Sequence, residues 1–498
     1  MPAGAILDAM ATASRPRVEL PASPRRTAVP APAALVLGAC GLLVLALRAP
    51  YLQVGLNPDE GGVAFIAQHW HGASGTSLYG NYWLDRPPLL LVLYKIAALG
   101  GIPGIRALGA VASLSLVGIA YAIGRQLGGL RVAAPAALIA ALLTSSAALA
   151  AVGTPAELLA SIPAAGSIAC LLRARARPRS FWWPAAAGAL AVTAVLVKQS
   201  FLDAGFAGAV FIVLMLVRTR SWRVPVAYTL GALTPVAAVA AWMALGGVRA
   251  ADLIYALAGF RVDSLHALQN SHTPLLLRLH TLEYPALFSG MVVLGPLAIV
   301  GLWRLRGDAV LRATLLAWFA AGTVGVLAGG SYLPHYLIQL AVPSATGCAV
   351  LLARARPQIR WGVLGAATVL VVAIAMGAAV GLIAKPAHAK ERAIAAYLHR
   401  HARPGDTAYA LYARANLAYY DEMPSPFPYA WSLMMRAKPG TRAELGRLLA
   451  SARAPTWIVQ WQPPSQWSLD PTGALRRTLH TRYRKVARVG GHPIWHLR

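Results

Sequence analysis

The sequence predicts an α-helical polytopic membrane protein closed by a small C-terminal α/β domain. Of its 498 residues, 57% are hydrophobic and only 12% charged, against about 25% charged in a soluble domain. Apolar runs of bilayer-crossing length alternate with short basic clusters, the pattern of helices threaded through a membrane. Beyond residue 384 the texture changes to a charged segment with turns and short β-rich runs.

The formal charge of +28 raises nucleic-acid binding, but its distribution argues against it. The cations sit in clusters such as Arg173, Arg175, Arg177 and Arg179 between apolar runs, where positive-inside topology puts them. The three cysteines, Cys40, Cys170 and Cys348, each fall within an apolar run. With no CxxC or mixed Cys/His spacing, they support neither a disulfide framework nor a zinc site.

Residues 1–30, rich in Pro, Ala and Arg, read as a disordered cytoplasmic N-terminus. Arg25 and Arg26 precede the run 31–47 with no cleavage pattern after it, so this run is an uncleaved signal anchor. It delivers the loop 48–104 to the outer face. The run 87–99 has 13 residues, ~20 Å as a helix against a hydrocarbon core of ~30 Å. If it crossed, every later arginine cluster would lie outside, so it is assigned to the interface. Ten further spans then alternate: 105–123, 132–150, 155–172, 181–197, 201–217, 224–245, 285–303, 311–328, 336–352 and 361–384. A long outer loop fills 246–284. The sequence predicts about 11 spans in all, a transmembrane domain over 31–384 and an extracytoplasmic α/β domain over 385–498. In that domain strands are expected at 407–412 and 456–460 and helices at 388–400 and 441–452. No internal repeat is visible, which counts against an inverted-repeat transporter.

The chemistry-bearing residues gather in the outer loops. Asn57-Pro58-Asp59-Glu60 has the spacing of a helix start: Asn57 as N-cap, Pro58 at the first position, Glu60 closing a capping box. Val63, Ile66, Ala67 and Trp70 then fall on one face, which predicts an amphipathic helix lying on the membrane. Asp59 and Glu60 can simply complement the helix dipole. Carboxylates beside a bilayer are costly, however, unless something uses them. Adjacent positions point ~100° apart on a helix, so one faces a reacting centre while the other anchors the backbone or a divalent cation. Asp85 can cap the short helix after it, and Arg86 can grip a lipid phosphate with its guanidinium fork or snorkel to bulk headgroups. Lys198 stands at the outer end of a span, where positive-inside topology does not favour it, and is a phosphate-binding candidate. His335 and Tyr336 enter a late span at the same outer level. Asp85, Arg261 and His266 are assigned to substrate-facing loops. The spacing of His266, His272 and His280 fits no strong metal pattern. Glu157 and Asp203 read as helix caps.

The ordered set of these features resembles the GT-C glycosyltransferases. It is most similar to the bacterial members of glycosyltransferase family 39, relatives of the protein O-mannosyltransferases and of the aminoarabinose transferase acting on lipid A. The residues carrying the likeness are Pro58-Asp59-Glu60-Gly61, Leu84-Asp85-Arg86-Pro87-Pro88-Leu89 with Leu93-Tyr94, Leu196-Val197-Lys198-Gln199, and Pro334-His335-Tyr336-Leu337 through Pro343. The resemblance implies an integral-membrane transferase that takes a monosaccharide from a polyprenyl-phosphate donor on the outer face, among membrane lipids. The acceptor, whether glycan, lipid or protein, is not assigned by the sequence. The resemblance also implies that Asp59 acts at the reaction centre. The family's usual lysine before Pro-Pro is replaced here by Arg86. Nothing matches the sugar-binding repeats of eukaryotic protein mannosyltransferases, so a protein acceptor is not implied. The competing expectation is a multi-pass transporter or lipid flippase, with Asp59 and Glu60 gating or coupling to protons. The near absence of ionisable residues inside the apolar runs speaks against that alternative.

Overall fold

The computed structural model describes residues 31–73, 75, 77–269, 275–305, 307–384 and 386–498. The N-terminus 1–30, His272, Arg306 and Lys385 lie outside the described residues. Helix α1 (Ala31–Arg48) leads into α2 (Pro58–Gln68) and α3 (Pro88–Ala98). The bundle continues through α4 (Gly101–Gly128), α5 (Leu130–Thr144), α6 (Ala156–Ala176), α7 (Trp182–Val197), α8 (Asp203–Thr219) and α9 (Arg223–Gly246). The expected spans fall mostly on helix, but fewer of those helices than the eleven expected spans are long and apolar enough to cross a membrane, with Leu130–Thr144 and Trp182–Val197 among the shorter ones. Among the described residues seven helices are long and apolar enough to cross a membrane, and an eighth candidate is a pair bent by 76° at Gly290. The chain is thus a multi-pass membrane protein. Helix α3 is short, as its 11 residues required.

Three departures from the sequence reading have physical causes. Helix α5 stops at Thr144 instead of running to 150, because its last carbonyl accepts Arg48 Nη1 at 3.2 Å and residues 145–153 fold back as a loop around the same guanidinium. The segment expected as a long loop is largely helical: α10 (Ala250–Ile254), a π-turn (Tyr255–Gly259), α11 (Phe260–Gln269), α12 (Leu275–Leu279) and α13 (Glu283–Phe288). Helix α2 does not lie on a membrane surface. It ends at Gln68, and Gly61 through Ala67 are all buried, so it is enclosed on both faces instead of amphipathic.

Beyond α14 (Met291–Trp303), α15 (Ala309–Ala328), a 3-10 segment (Pro334–Leu340), α16 (Ala341–Leu352) and α17 (Pro357–Ala384), the C-terminal region supplies what covers α2. It comprises α18 (Ala389–His401), β1 (Ala408–Ala410), α19 (Asn416–Asp421), α20 (Ser432–Ala437), α21 (Thr441–Ala450), β2 (Trp457–Val459), α22 (Ala474–Arg482), β3 (Tyr483–Val489) and β4 (His492–Leu497). The four strands form one sheet in the order β1-β2-β4-β3, with β1 and β2 parallel and the other pairings antiparallel. Gly490 and Gly491, both at positive φ, make the two-residue turn between β3 and β4. Helix α19 packs directly on α2. Asn416 Nδ2 and the Tyr420 hydroxyl both donate to Leu56 O, at 3.0 and 3.1 Å. The close approach needs glycine: a Cβ on Gly61 would meet Asn416 Cβ at 2.6 Å, and one on Gly62 would meet the Trp431 ring at 2.4 Å.

Candidate active site

The capping box forms as the spacing requires. Asn57 Oδ1 accepts the amides of Asp59 and Glu60 at 2.9 and 3.0 Å, and Glu60 Oε2 accepts the Asn57 amide at 3.1 Å. This reciprocal pairing satisfies orphan donors at the helix start and turns the two acidic neighbours to different tasks. Glu60, only 2% exposed, pairs with Arg106 and accepts the Thr154 amide at 2.6 Å. Arg106 in turn donates to Val54 O and Gly55 O at 3.1 and 2.9 Å. Burial would raise the Glu60 carboxyl. The Arg106 guanidinium and the Thr154 and Asn57 amides together outweigh it and hold the group below its ordinary range. Glu60 thus fastens the loop before α2 to α4 and to the start of α6.

Asp59 is exposed, and its Oδ1 accepts Trp431 Nε1 from the C-terminal region at 3.1 Å. Glu60 spends its oxygens on Arg106 and two amides, so Asp59 is the carboxylate of the pair left open to the pocket; the described residues contain no group of three or more His, Cys, Asp or Glu that could hold an ion.

Across the pocket the other candidates converge. Asp85 Oδ2 binds Arg86 Nη1 at 2.7 Å and also Arg261 from α11, while its carbonyl accepts Gln199 Nε2 at 2.7 Å. Asp85 therefore bridges two guanidinium groups and does not cap α3, whose N-cap is Pro87. Glu157 is not a cap either: it pairs with Lys198, with His335 Nε2 at 3.5 Å. The Lys198 ammonium also lies 4.8 Å from the Tyr336 ring centroid. Asp203, the other expected cap, accepts Trp318 Nε1 and Gln339 Nε2 at 2.8 and 3.0 Å.

Two cavities meet at this ionic junction. A polar pocket of about 160 Å³ is lined by Asp59, Glu60, Asp85, Glu157, His335 and Trp431 among others. A larger apolar cavity of about 660 Å³ runs between α8, α11 and α15, past Phe206, Leu257, Leu265 and Val324. Arg86, Glu157, Lys198, Arg261 and Tyr336 line both. Ser264 Oγ, Gln199 Oε1 and Arg261 Nε are buried there without a hydrogen-bond partner, polar atoms suited to a ligand at the junction. Three cations thus stand where an apolar channel opens into an acidic pocket.

Of the residues singled out from sequence, Asp59, Glu60, Asp85, Arg86, Lys198, Arg261, His335 and Tyr336 come together at this pocket. His266 is exposed on α11 and lines neither cavity. Sequence reasoning missed the partnership of Glu157 with Lys198, the scaffolding arginines Arg48 and Arg106, and Trp431. The first left a trace: an acidic residue and a lysine each at the same end of a span, both otherwise unexplained.

No family model matches the sequence, and no curated protein matches it. Solved structures do. The chain is similar to ArnT from Cupriavidus metallidurans bound to undecaprenyl phosphate, at 18% identity and a TM-score of 0.67, over 93% of this chain and 97% of that one. The apo state of the same protein aligns over the same shares at 17% identity and a TM-score of 0.63. The Archaeoglobus fulgidus oligosaccharyltransferase, in complex with Zn and sulfate, aligns at 13% identity and a TM-score of 0.52, over 85% of this chain and 67% of that one. Helix bundle, site-bearing first loop and C-terminal sheet together make this a chain of the GT-C fold.

Proposed function

We propose that this protein transfers a monosaccharide from a polyprenyl-phosphate-linked donor to an acceptor hydroxyl at the outer face of the membrane, with inversion of the anomeric centre. The observation that carries the reading is the junction itself. Arg86, Lys198 and Arg261 stand between an apolar cavity suited to a prenyl chain and a polar pocket that holds Asp59. The likeness to a protein solved with undecaprenyl phosphate supports the same assignment.

In this reading the lipid phosphate sits among the three cations, its chain in the apolar cavity and its sugar in the polar pocket. Asp59 takes the proton from the acceptor hydroxyl as that oxygen bonds to the anomeric carbon. The bond from that carbon to the phosphate oxygen breaks at the same time, and its electron pair stays with the phosphate. The second pKa of a phosphate monoester is about 6, so the leaving group needs no proton. Arg86, Lys198 and Arg261 stabilise the charge that grows on it, and direct displacement inverts the centre. Asp59 suits the role of base because it is open to the pocket with one hydrogen-bond donor on it, whereas Glu60 and Glu157 are committed to Arg106 and Lys198.

The test is release of radiolabelled sugar from a panel of polyprenyl-phosphate monosaccharides by purified protein, beside the Asp59→Asn variant. Turnover of a donor by the wild type, reduced about 10²–10⁴-fold in the variant, is the expected result. Folded protein that turns over no donor in native-like lipid would overturn the proposal.

A further inference from the structure

Lys438, just past α20, is unlike the other cations of the C-terminal region. Its ammonium lies 4.9 Å from the centroid of Tyr255, 5.5 Å from Trp83 and 5.7 Å from Tyr429. It makes no ion pair among the described residues; the carboxylates of Glu444, Asp252 and Asp263 act on it at longer range, and three aromatic faces surround it. An ammonium so placed is attracted by each ring quadrupole, and more strongly when withdrawn from water.

Each ring belongs to a segment that carries a site residue. Trp83 stands two residues before Asp85 and three before Arg86. Tyr255 opens the π-turn that leads through Phe260 to Arg261. Tyr429 stands two residues before Trp431, the donor to Asp59. These segments also touch one another at the cage. Trp83 meets Phe260 edge-on at 4.9 Å, its amide donates to Pro428 O at 3.1 Å, and the Tyr255 hydroxyl donates to Asp263 at 2.7 Å. A π-turn is a distortion that recurs at functional sites, and this one leads directly into α11, which carries Arg261.

We propose that Lys438 is a positioning residue for phosphate recognition: by filling the Trp83–Tyr255–Tyr429 cage it holds the Arg86 and Arg261 segments at the spacing at which both guanidinium groups reach one lipid phosphate. Lys438 touches neither the polar pocket nor the apolar cavity. It acts through the two arginines. The inference rests on the phosphate assignment made above and adds to it a part for the C-terminal region beyond covering α2.

The experiment compares undecaprenyl phosphate with undecaprenol as ligands of the full-length protein in nanodiscs, followed by tryptophan fluorescence. It uses wild type, Lys438→Met and Lys438→Arg, with the thermal midpoint of each recorded. Lys438→Met keeps the apolar stem and removes the charge. It is expected to weaken undecaprenyl phosphate binding roughly 5- to 30-fold while leaving undecaprenol binding unchanged. A guanidinium also stacks on aromatic faces, so Lys438→Arg is expected to recover most of the loss. Equal weakening toward both ligands, or a lowered thermal midpoint with phosphate preference intact, would make Lys438 a merely structural residue and overturn the inference. Undiminished phosphate preference in a stable Lys438→Met protein would overturn it as well. A wild type that binds phosphate and alcohol alike would instead remove the phosphate assignment on which the inference stands.

Discussion

Replacing Arg106 by methionine separates the structural role of Glu60 from a chemical one. Both side chains are nearly inaccessible, 6% and 2% exposed, so the substitution leaves a carboxylate buried without its counter-charge. Breaking such a pair from one side costs about 3–5 kcal/mol. Adding Glu60→Gln removes the stranded charge and keeps an oxygen for the Thr154 amide. The double variant is therefore expected to regain about 2 kcal/mol of the loss. It does not recover fully, because Val54 O and Gly55 O still lack the guanidinium.

The pH dependence has a defined sign. In the wild type the Glu60 carboxyl is held below its ordinary value of 4.5. Its contribution is present above that value and fades as pH falls through the folded pKa. Without Arg106, burial dominates and the folded pKa rises above 4.5. The folded state then binds the proton more tightly than the unfolded one, and stability falls as pH rises through that window. Thermal unfolding in nanodiscs should show Arg106→Met losing most at pH 8 and recovering part of its deficit at pH 5, with Arg106→Met/Glu60→Gln insensitive over the same range. Equal deficits in the single and double variants at both pH values would refute the view that Glu60 is a buried fastener.

Other expectations follow from the same contacts. Burial pushes the Asp421 carboxyl up to about 7, with the Met423 amide only partly opposing it. Its contribution is full below the ordinary 3.8 and is lost as pH rises through about 7. Asp421→Asn should thus gain on the wild type between pH 4 and pH 8, by up to a few kcal/mol at about 1.4 kcal/mol per pKa unit, read from paired thermal midpoints. Gly62→Ala should cost about 1–3 kcal/mol by overpacking, because its Cβ meets the Trp431 ring at 2.4 Å. It should also reduce donor turnover by displacing Trp431 from Asp59. Lys198→Met should abolish lipid-phosphate binding, and adding Glu157→Gln should restore thermal stability without restoring binding. Binding regained in that double variant would remove Lys198 from the phosphate site.

What could be read from the sequence was local or periodic. The capping box at Asn57 needs only residues three apart, and the spans need only hydropathy. The α2 surface was misread because Val63, Ile66 and Ala67 form a stripe. The partner for its other face comes from residues more than 350 positions away, Asn416 and Trp431. Gly61 and Gly62 were the available clue, since adjacent glycines in a helix cost stability unless a backbone or ring must approach. The β3–β4 hairpin escaped notice because Arg484, Lys485 and Arg488 break the apolar pattern. An edge strand tolerates such charges and is protected by them. Asp85 failed as a cap because it stands two residues ahead of the N-cap, where two guanidinium groups compete for it. Glu157 was opaque for another reason: Lys198 is 41 residues away, and only the packing of α6 on α7 brings them together.

If the junction binds a lipid phosphate as proposed, its charge balance accounts for the carboxylates that accompany the cations. Three cations at the mouth of an apolar cavity would repel one another and pay heavily in desolvation if left bare. Asp85 divides its charge between Arg86 and Arg261, and Glu157 neutralises Lys198. Within these ion pairs three positive groups face two negative ones, an excess of one before Asp59 across the pocket is counted. A sugar-linked lipid phosphate is a diester carrying a single negative charge, which matches that excess. When the sugar departs, the phosphate moves toward about −1.5 to −2, and the same cations can draw further from Asp85 and Glu157 to meet it. Under the proposed function the cluster would therefore favour the charge that develops in the transition state over the charge present at the start, the condition for binding energy to accelerate a reaction. In the proposed reading the two carboxylates adjust how much cation is free, while Asp59, which accepts Trp431 Nε1 and forms no ion pair among the described residues, is left to take the proton.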